Sequence, residues 1–548
     1  MMAGEKRRTP QGWSLRINPE RAKAARDGGW WLDKTAADFA EELAAREPNR
    51  ILVVDAVRTL DAATLLSEAK VLARGFIKRG FRPGDVVSMM LPNWHESTVV
   101  ALAACLAGVV LHPIVTAYRE AEVAFMLGDC GSRMIFVPEV FRGYDFAAMM
   151  RTVCEQLDRP PEVVTVRGER GEFTDYAKMF AEDVGGAQLP KVDPDSVKIL
   201  IYTSGTTGRA KGVIHTHNSS LAVCVQVNRH WRINGDDRFF IPSPVGHIGG
   251  SMYAFDMPVL FGARAVLQDV WDADEGVKII DKEGCTFIAG ATPFLQQLLA
   301  SSRAVGSRLP SMRLFICGGA SVPPALIREA KEYLTNCTVT RVYGSTEVPV
   351  ATVGSPDPGD TDHAAETDGR PGAATVKLVD ADGKEGEEGE IWLRGPQMLV
   401  GYLHLEDEQS TFDEDGFFRT GDLAQRVDGN YLVVSGRSKD LIIRNGENIS
   451  PKEVEDILGQ HPKIADIAIV GLPNQKTGER ACAVIVPRAG EEPDVADLRS
   501  FLEERRVARF KIPEQVELWT ELPRNPAGKI LKNKIRDALL AEMRQGAN

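Results

Sequence analysis

No Cys-x-x-Cys pair occurs in this 548-residue chain, although it holds eight cysteines: Cys105, Cys130, Cys154, Cys224, Cys285, Cys317, Cys337 and Cys482. Scattered singly, they form neither a zinc knuckle nor a redox dithiol and read as reduced core thiols. No apolar run is long enough to span a bilayer. The longest, 99–111, is rich in alanine and predicts a buried helix. The charged opening, 1–10, lacks the apolar segment of a secretory leader, so the expected compartment is the cytoplasm. An excess of basic charge is missing too. A net charge of −12 argues against a nucleic-acid partner, while leaving room for anionic ligands that feel only local charge. There is no short repeat and no low-complexity tract. What is present is ordinary for a soluble globular protein, 43% apolar and 26% charged residues, in a chain too long for one core.

The most informative stretch is Tyr202-Thr203-Ser204-Gly205-Thr206-Thr207-Gly208-Arg209-Ala210-Lys211-Gly212, which comes directly after the apolar run 197–201. That run predicts a buried strand. A strand breaking into Gly, Thr and Ser turns several backbone N–H groups towards one point. Glycine permits close approach, hydroxyls add donors, and a lysine supplies mobile positive charge. The loop suits polyphosphate, but it is not a Walker A loop: Gly208 precedes Lys211 by three, and Gly212 comes after the lysine. Taken singly, a Gly/Thr-rich turn is more often an ordinary solvated loop. The motifs downstream decide between the two.

Between about residues 50 and 434, short apolar runs alternate with helical patterns; 135–137, 163–166 and 199–202 read as strands and 60–78 as a helix. That rhythm predicts layered α/β structure. Three loops come after apolar strands: 199–201 leads into the Thr/Gly loop, 314–317 into Gly318-Gly319-Ala320, and 341–343 into Gly344-Ser345-Thr346-Glu347. Ligands of open α/β sheets gather at the carboxyl ends of strands, so these loops are expected to share one site. The acidic stretch 380–390 reads as a solvated turn. Beyond Gly436-Arg437-Ser438-Lys439-Asp440 the pattern changes. Ser450-Pro451-Lys452-Glu453 has the form of a capping box, with Ile449 and Val454 placed as a hydrophobic staple. Strands at 467–470 and 481–486 and a helix near 495–505 complete a compact α+β unit. The expected division is 1–435, a large multi-sheet α/β domain, and 436–548, a small α+β domain.

Five motifs occur in order: 202–212, Tyr343-Gly344-Ser345-Thr346-Glu347, Thr420-Gly421-Asp422, Gly436-Arg437-Ser438-Lys439-Asp440 and Asn525-Pro526-Ala527-Gly528-Lys529. Together they resemble the adenylate-forming superfamily of acyl-CoA synthetases, nonribosomal adenylation domains and beetle luciferases, over about residues 31–532. The resemblance implies an N-terminal domain with the AMP site and acyl pocket, a small mobile lid, and use of ATP, Mg²⁺ and coenzyme A. Thr203, Ser204, Gly205, Thr206, Thr207 and Gly208 with Lys211 would grip the β- and γ-phosphates. Thr346 would meet the α-phosphate, and Glu347 with Thr206 would hold Mg²⁺. Tyr343, Gly344 and the turn Gly318-Gly319-Ala320 would border adenine. Asp422 has the acceptor-only carboxylate suited to the ribose hydroxyls, with Arg437 beside it. Lys529 would reach the α-phosphate and the substrate carboxylate. For thioester formation the lid would swing about Lys439, bringing 444–448 to the site. Gly446 would let a pantetheine arm pass, and Arg444 with Arg505, Arg506, Arg509 and Lys511 would face CoA phosphates, although a basic cluster is more often a solvated face.

The segment Pro244-Val245-Gly246-His247-Ile248-Gly249-Gly250 carries His247 where the family borders its acyl pocket; a wall or gate is expected of it, not a general base. Amino-acid adenylation domains commonly have Phe-Asp there, so Gly246-His247 speaks against an amino-acid substrate. Small residues at Gly249, Gly250, Ala289, Gly290 and Ala291, with Met252, Val348 and Val350, would leave a roomy apolar pocket. The stretches 117–135 and 266–272 look similar to bacterial cyclohexanecarboxylate and medium-chain acyl-CoA ligases, implying a medium-chain or alicyclic acid. CoA is the expected acceptor because no carrier domain is fused after Lys529. The alternatives are loading of a separate carrier protein, aromatic or steroid-derived acids, a luciferase-like oxygenation, and a non-catalytic nucleotide-binding protein. The last predicts loss of Glu347, Asp422 or Lys529, and all three are present. The pattern around Lys529 also resembles that of reversibly acetylated ligases, which implies an acetyltransferase and a deacetylase as partners.

Overall fold

The computed structural model describes residues 7–168, 170–181, 185–203, 209–319, 322–444, 447–474, 476–525 and 528–546. Two large sheets dominate. One runs, in spatial order, Thr174–Asp175, Glu162–Val166, Met134–Pro138, Val86–Met89, Val110–Pro113, Val197–Thr203, Lys211–Thr216 and Gly401–Tyr402. The other runs Thr338–Arg341, Leu314–Cys317, Phe287–Gly290, Arg238–Ile241, Arg264–Leu267, Ile51–Val54 and Thr59–Asp61. Its first six strands are parallel, so their carboxyl ends lie along one edge.

A shared core joins the two sheets, combining Val87 and Ile201 of the first with Phe239 and Leu314 of the second. The helices Ala36–Arg46, Ala62–Lys78 and His95–Ala107 contribute to the same core. Every residue of His95–Ala107 is buried, as the stretch from Val99 on, apolar on all sides, demands. The expected helix over 99–111 ends four residues early, because Gly108 takes a left-handed φ of +69° and Val110–Pro113 then enters the first sheet. Likewise Leu60 belongs to a strand and Asp61 caps the next helix, its side chain accepting from the Thr64 N–H. The strand expected over 341–343 stops at Arg341.

A four-stranded antiparallel sheet comes next: Thr375–Val379, Glu388–Arg394, Phe418–Val427 and Tyr431–Arg437. The exposed turn 380–387 joins its first two strands, as the acidic composition suggests. From Ile442 the chain builds a separate five-stranded sheet: Glu447–Ile449, Ile442–Arg444, Gly478–Pro487, Ile464–Asn474 and Gln515–Leu518. Helices Pro451–Leu458, Val495–Glu504 and Lys532–Gly546 accompany it. The staple residues Ile449 and Val454 are both fully buried in that unit's core. The capping box is only half formed: the Ser450 hydroxyl accepts from the Glu453 N–H at 3.4 Å, while the Glu453 carboxylate instead takes Lys511 at 2.6 Å. An ion pair to a neighbouring turn has displaced the reciprocal cap. Among the described residues, no helix is long and apolar enough to cross a membrane.

Candidate active site

Three adjacent parallel strands of the second sheet end together. Phe287–Gly290 leads into Ala291, Leu314–Cys317 into Gly318-Gly319, and Thr338–Arg341 into Tyr343-Gly344-Ser345-Thr346-Glu347. The loops touch: the Gly318 N–H donates to the Gly290 carbonyl at 3.1 Å, and the Val342 N–H to the Cys317 carbonyl at 3.0 Å. Glycine is required at 318, since a Cβ there would stand 2.7 Å from the Val342 carbonyl oxygen. Val350 closes this region with φ +48°, rare for a β-branched residue. Gln226 holds it there, donating to the Val350 carbonyl at 2.6 Å.

Asp422 lies at the centre of a second group. It stands directly opposite Arg437 on the paired strands Phe418–Val427 and Tyr431–Arg437. Arg437 Nε forms an ion pair with one carboxylate oxygen at 3.0 Å, and the Tyr343 hydroxyl donates to the other at 2.6 Å. The triangle therefore joins the parallel sheet to the antiparallel one. Burial, and then the Asp422 charge, push the Tyr343 phenol well above its ordinary pKa, so it stays a donor.

The 202–212 motif is a hairpin, Thr203 pairing with Lys211 across it. Ser204, Gly205, Thr206, Thr207 and Gly208 lie outside the described residues, as do Ala320 and Gly446. At the foot of the hairpin the Tyr202 hydroxyl donates to Asp129 at 2.6 Å, and Asp129 also meets His404 at 2.8 Å. His215 Nε2 lies 2.8 Å from the Thr346 carbonyl. A carbonyl only accepts, so this nitrogen carries the proton, and burial keeps the ring neutral, its pKa pushed down to about 4. Lys211 lies 3.7 Å from Asp407 and 5.4 Å from the ring centre of Tyr402. Tyr402 in turn donates its hydroxyl to Glu347 at 3.0 Å. Glu347 thus meets a fixed partner from the neighbouring sheet.

The fifth motif comes from the small C-terminal unit. Gly528 packs near the start of the Thr292–Val305 helix, where an added Cβ would lie 3.7 Å from Pro293. The Lys529 side chain is exposed. Desolvation by the protein around it, and next the Arg437 charge, lower its pKa, with Asp422 and Asp440 opposing. Lys529 therefore lies within electrostatic reach of the Asp422–Arg437 pair. Ser438, next to Lys439, donates to the Gly421 carbonyl at 3.1 Å. Arg444 is committed within its own unit, to Glu514 and to the Phe510 carbonyl at 2.8 Å each. Three of the four residues of the basic cluster are engaged as well: Lys511 with Glu453, Arg509 with Glu503, and Arg505 over the Phe501 ring.

His247 caps the short helix Ile248–Ser251. Burial pushes its pKa down to about 4, and its buried Nε2 has no hydrogen-bond partner among the described residues. Gly246 is forced by close passage, since a Cβ would meet the Val115 nitrogen at 2.8 Å. Ala289, Gly290, Ala291 and Val350 remain partly accessible. Val348 and Met252 are instead sealed in cores, at 0% and 4% exposure, so they do not line an open pocket as expected. Sequence reasoning missed Tyr402, His215, Asp129 and Asp407. Their polar types in otherwise apolar strands or turns were the only signal.

Comparison with known proteins matches residues 40–403 to the AMP-binding enzyme family and 453–529 to the AMP-binding enzyme C-terminal domain. The chain is 34% identical to the medium-chain fatty-acid–CoA ligase of Escherichia coli K12, covering 97% of this chain and 95% of that one. It is 33% identical to the salicyl-AMP ligase / salicyl-S-ArCP synthetase of Mycobacterium tuberculosis H37Rv, over 94% and 93% of the two chains. Among solved structures, ATP-bound MatB from Rhodopseudomonas palustris superposes with a TM-score of 0.81 at 28% identity, over 92% of this chain and 99% of that one.

Proposed function

The chain belongs to the AMP-binding enzyme family, and on that premise we propose that it is an ATP-dependent acid–CoA ligase acting on a medium-chain or alicyclic carboxylic acid. The observation that supports this reading is that Lys529 of the C-terminal unit feels the charges of Arg437 and Asp422, the pair that Tyr343 joins.

A carboxylate is a poor acyl donor because its leaving group would be oxide. Attack of a carboxylate oxygen on the α-phosphorus of ATP expels pyrophosphate and gives an acyl-adenylate, whose leaving group is AMP. The transition state concentrates negative charge, so positioning and cationic donors supply the catalysis. In this reading Asp422 and Arg437 hold the ribose, and Tyr343, Gly344 and the 318–320 turn border adenine. Lys211 and the Thr203–208 loop grip the outer phosphates, Thr346 meets the α-phosphate, and Lys529 neutralises charge between phosphate and acid. A Glu347 carboxylate anchored by Tyr402 offers the hard oxygen that Mg²⁺ takes together with substrate phosphates. When bound there, with Thr206 alongside, the ion supplies charge neutralisation of the phosphates. Neutral, half-buried His247 acts as pocket wall, since a base with a pKa near 4 is weak at neutral pH.

For the second half-reaction the proposed domain boundary at 435/436 and the hinge at Lys439 let the C-terminal unit turn. The segment 444–448, with Arg444 and Gly446, then takes the place of Lys529, and the CoA thiolate attacks the acyl carbon, releasing AMP. Acetylation of Lys529 would remove the charge that adenylation needs and so switch off the first step. The cytoplasm is the proposed compartment, in keeping with eight free cysteines, all but Cys154 buried. The salicyl-S-ArCP synthetase relative favours one second reading, in which the acceptor is a carrier protein.

The test is a pyrophosphate-release screen over linear, alicyclic and aromatic acids, with and without CoA. Steady turnover of medium-chain or alicyclic acids on adding CoA supports the ligase. A single burst that CoA does not relieve transfers the proposal to a carrier-protein acceptor.

A further inference from the structure

The helix directly after the 244–250 motif is irregular. Ile248–Ser251 is α-helical, Met252–Asp256 forms a π turn closed by the Met257 N–H on the Met252 carbonyl, and Met257–Phe261 is α-helical again. A π turn adds one residue, rotates the helical turns on its two sides against each other, and recurs at functional sites. Here its last residue, Asp256, is 3% exposed, and both its oxygens lie 2.5 Å from Lys198 Nζ. Lys198 is itself 5% exposed and also donates to Ser220 at 3.2 Å. It sits at the start of the Val197–Thr203 strand, whose other end opens the Thr/Gly loop. Burial, the largest single influence, would lower the lysine pKa, but the Asp256 charge and hydrogen bond together with the nearby Cys105 and Cys224 raise it, so the ammonium persists. The cavity beside the pair, bordered by Cys105, Ser251 and Phe255, is about 10 Å³, room for one water at most.

A buried ion pair is a weak source of stability, because desolvation cancels much of the attraction and well-packed apolar residues often serve as well. Its attested use is to fix register. We propose that Lys198 and Asp256 are positioning residues that set the register of the π turn, and so the placement of His247, Ile248 and Gly249 against the acid. Acid-chain selection then depends on a pair that touches neither acid nor nucleotide. The selection part rests on the acid–CoA ligase reading; the register part does not.

The test uses the full-length Lys198→Met/Asp256→Leu double variant, which leaves no orphan charge, with Ser220→Ala as a milder change. In the double variant, amide exchange across Met252–Met257 should speed up at least tenfold while Val197–Thr203 stays protected. The KM for ATP should hold, the KM for the preferred acid should rise, and the kcat/KM ratio between that acid and one two carbons shorter should fall at least fivefold. Ser220→Ala should shift both readouts two- to threefold in the same direction, and it decides the matter if the double variant does not fold. Unchanged π-turn exchange in the variants that fold overturns the register claim. An unchanged acid ratio with faster exchange overturns the selection claim. If the wild-type enzyme activates no acid, the ligase reading fails, and the exchange experiment still judges the register.

Discussion

Replacing Asp422 by asparagine isolates the group proposed to read the ribose. A carboxylate offers about four lone-pair sites. Arg437 at 3.0 Å takes one on the first oxygen and Tyr343 at 2.6 Å one on the second, leaving one on each for two ribose hydroxyls. In the variant the single amide oxygen must serve Arg437, and the NH₂ faces Tyr343, whose hydroxyl can turn to accept. One ribose hydroxyl loses its acceptor, and the other meets a neutral oxygen. Hydrogen bonds to charged groups are worth about 1.5–3 kcal/mol, so kcat/KM for ATP should fall roughly ten- to a hundredfold. The assay is pyrophosphate release with ATP and with 2′,3′-dideoxy-ATP, with a thermal melt of each enzyme. Wild-type enzyme should prefer ATP strongly, and in the variant that preference should shrink towards unity. If Asp422→Asn slows both nucleotides equally, the carboxylate does not read the ribose and the lone-pair assignment is wrong.

Three further outcomes are expected. Lys529→Ala should cost adenylation about a hundred- to a thousandfold, the scale of losing one preorganised donor, while thioester formation from supplied acyl-adenylate stays within a few fold; equal loss of both steps contradicts the two-conformation scheme. Because the Lys529 pKa is lowered and its charged form is needed, adenylation should fade as pH rises through that lowered value, below the ordinary lysine range. Lys529→Arg should carry this alkaline limb out of reach, and a limb that stays put assigns it to another group. Tyr402→Phe releases the Glu347 carboxylate from its 3.0 Å donor; the Mg²⁺ concentration for half-maximal rate should rise about two- to tenfold with the KM for acid unchanged, and a change confined to the acid would remove Tyr402 from this role.

The layered α/β fold and the family were legible because each depends on local pattern. Leu314–Cys317 is the strand its four apolar residues describe, and the five motifs are contiguous in sequence. What escaped depends on contacts between distant segments. Nothing local in Tyr402 says that it will meet Glu347, 55 positions earlier. The Lys198–Asp256 pair is hidden for the same reason, since nothing local in the 197–201 run names the partner of its one charged residue. Helix and strand limits slipped where a single residue overrode the periodicity, as Gly108 did in ending the 99–111 helix. Val348 was misjudged because burial on a fold's inner face and lining of a pocket carry the same apolar signal.

The central claim is that a carboxylate oxygen attacks the α-phosphorus of ATP. It is tested most directly by turnover of an ¹⁸O-carboxylate acid with ATP and CoA, with mass analysis of the nucleotide and phosphate products. The account predicts one ¹⁸O in AMP and none in pyrophosphate. ADP as product, or label in released phosphate, would mean attack at the γ-phosphorus and would contradict it.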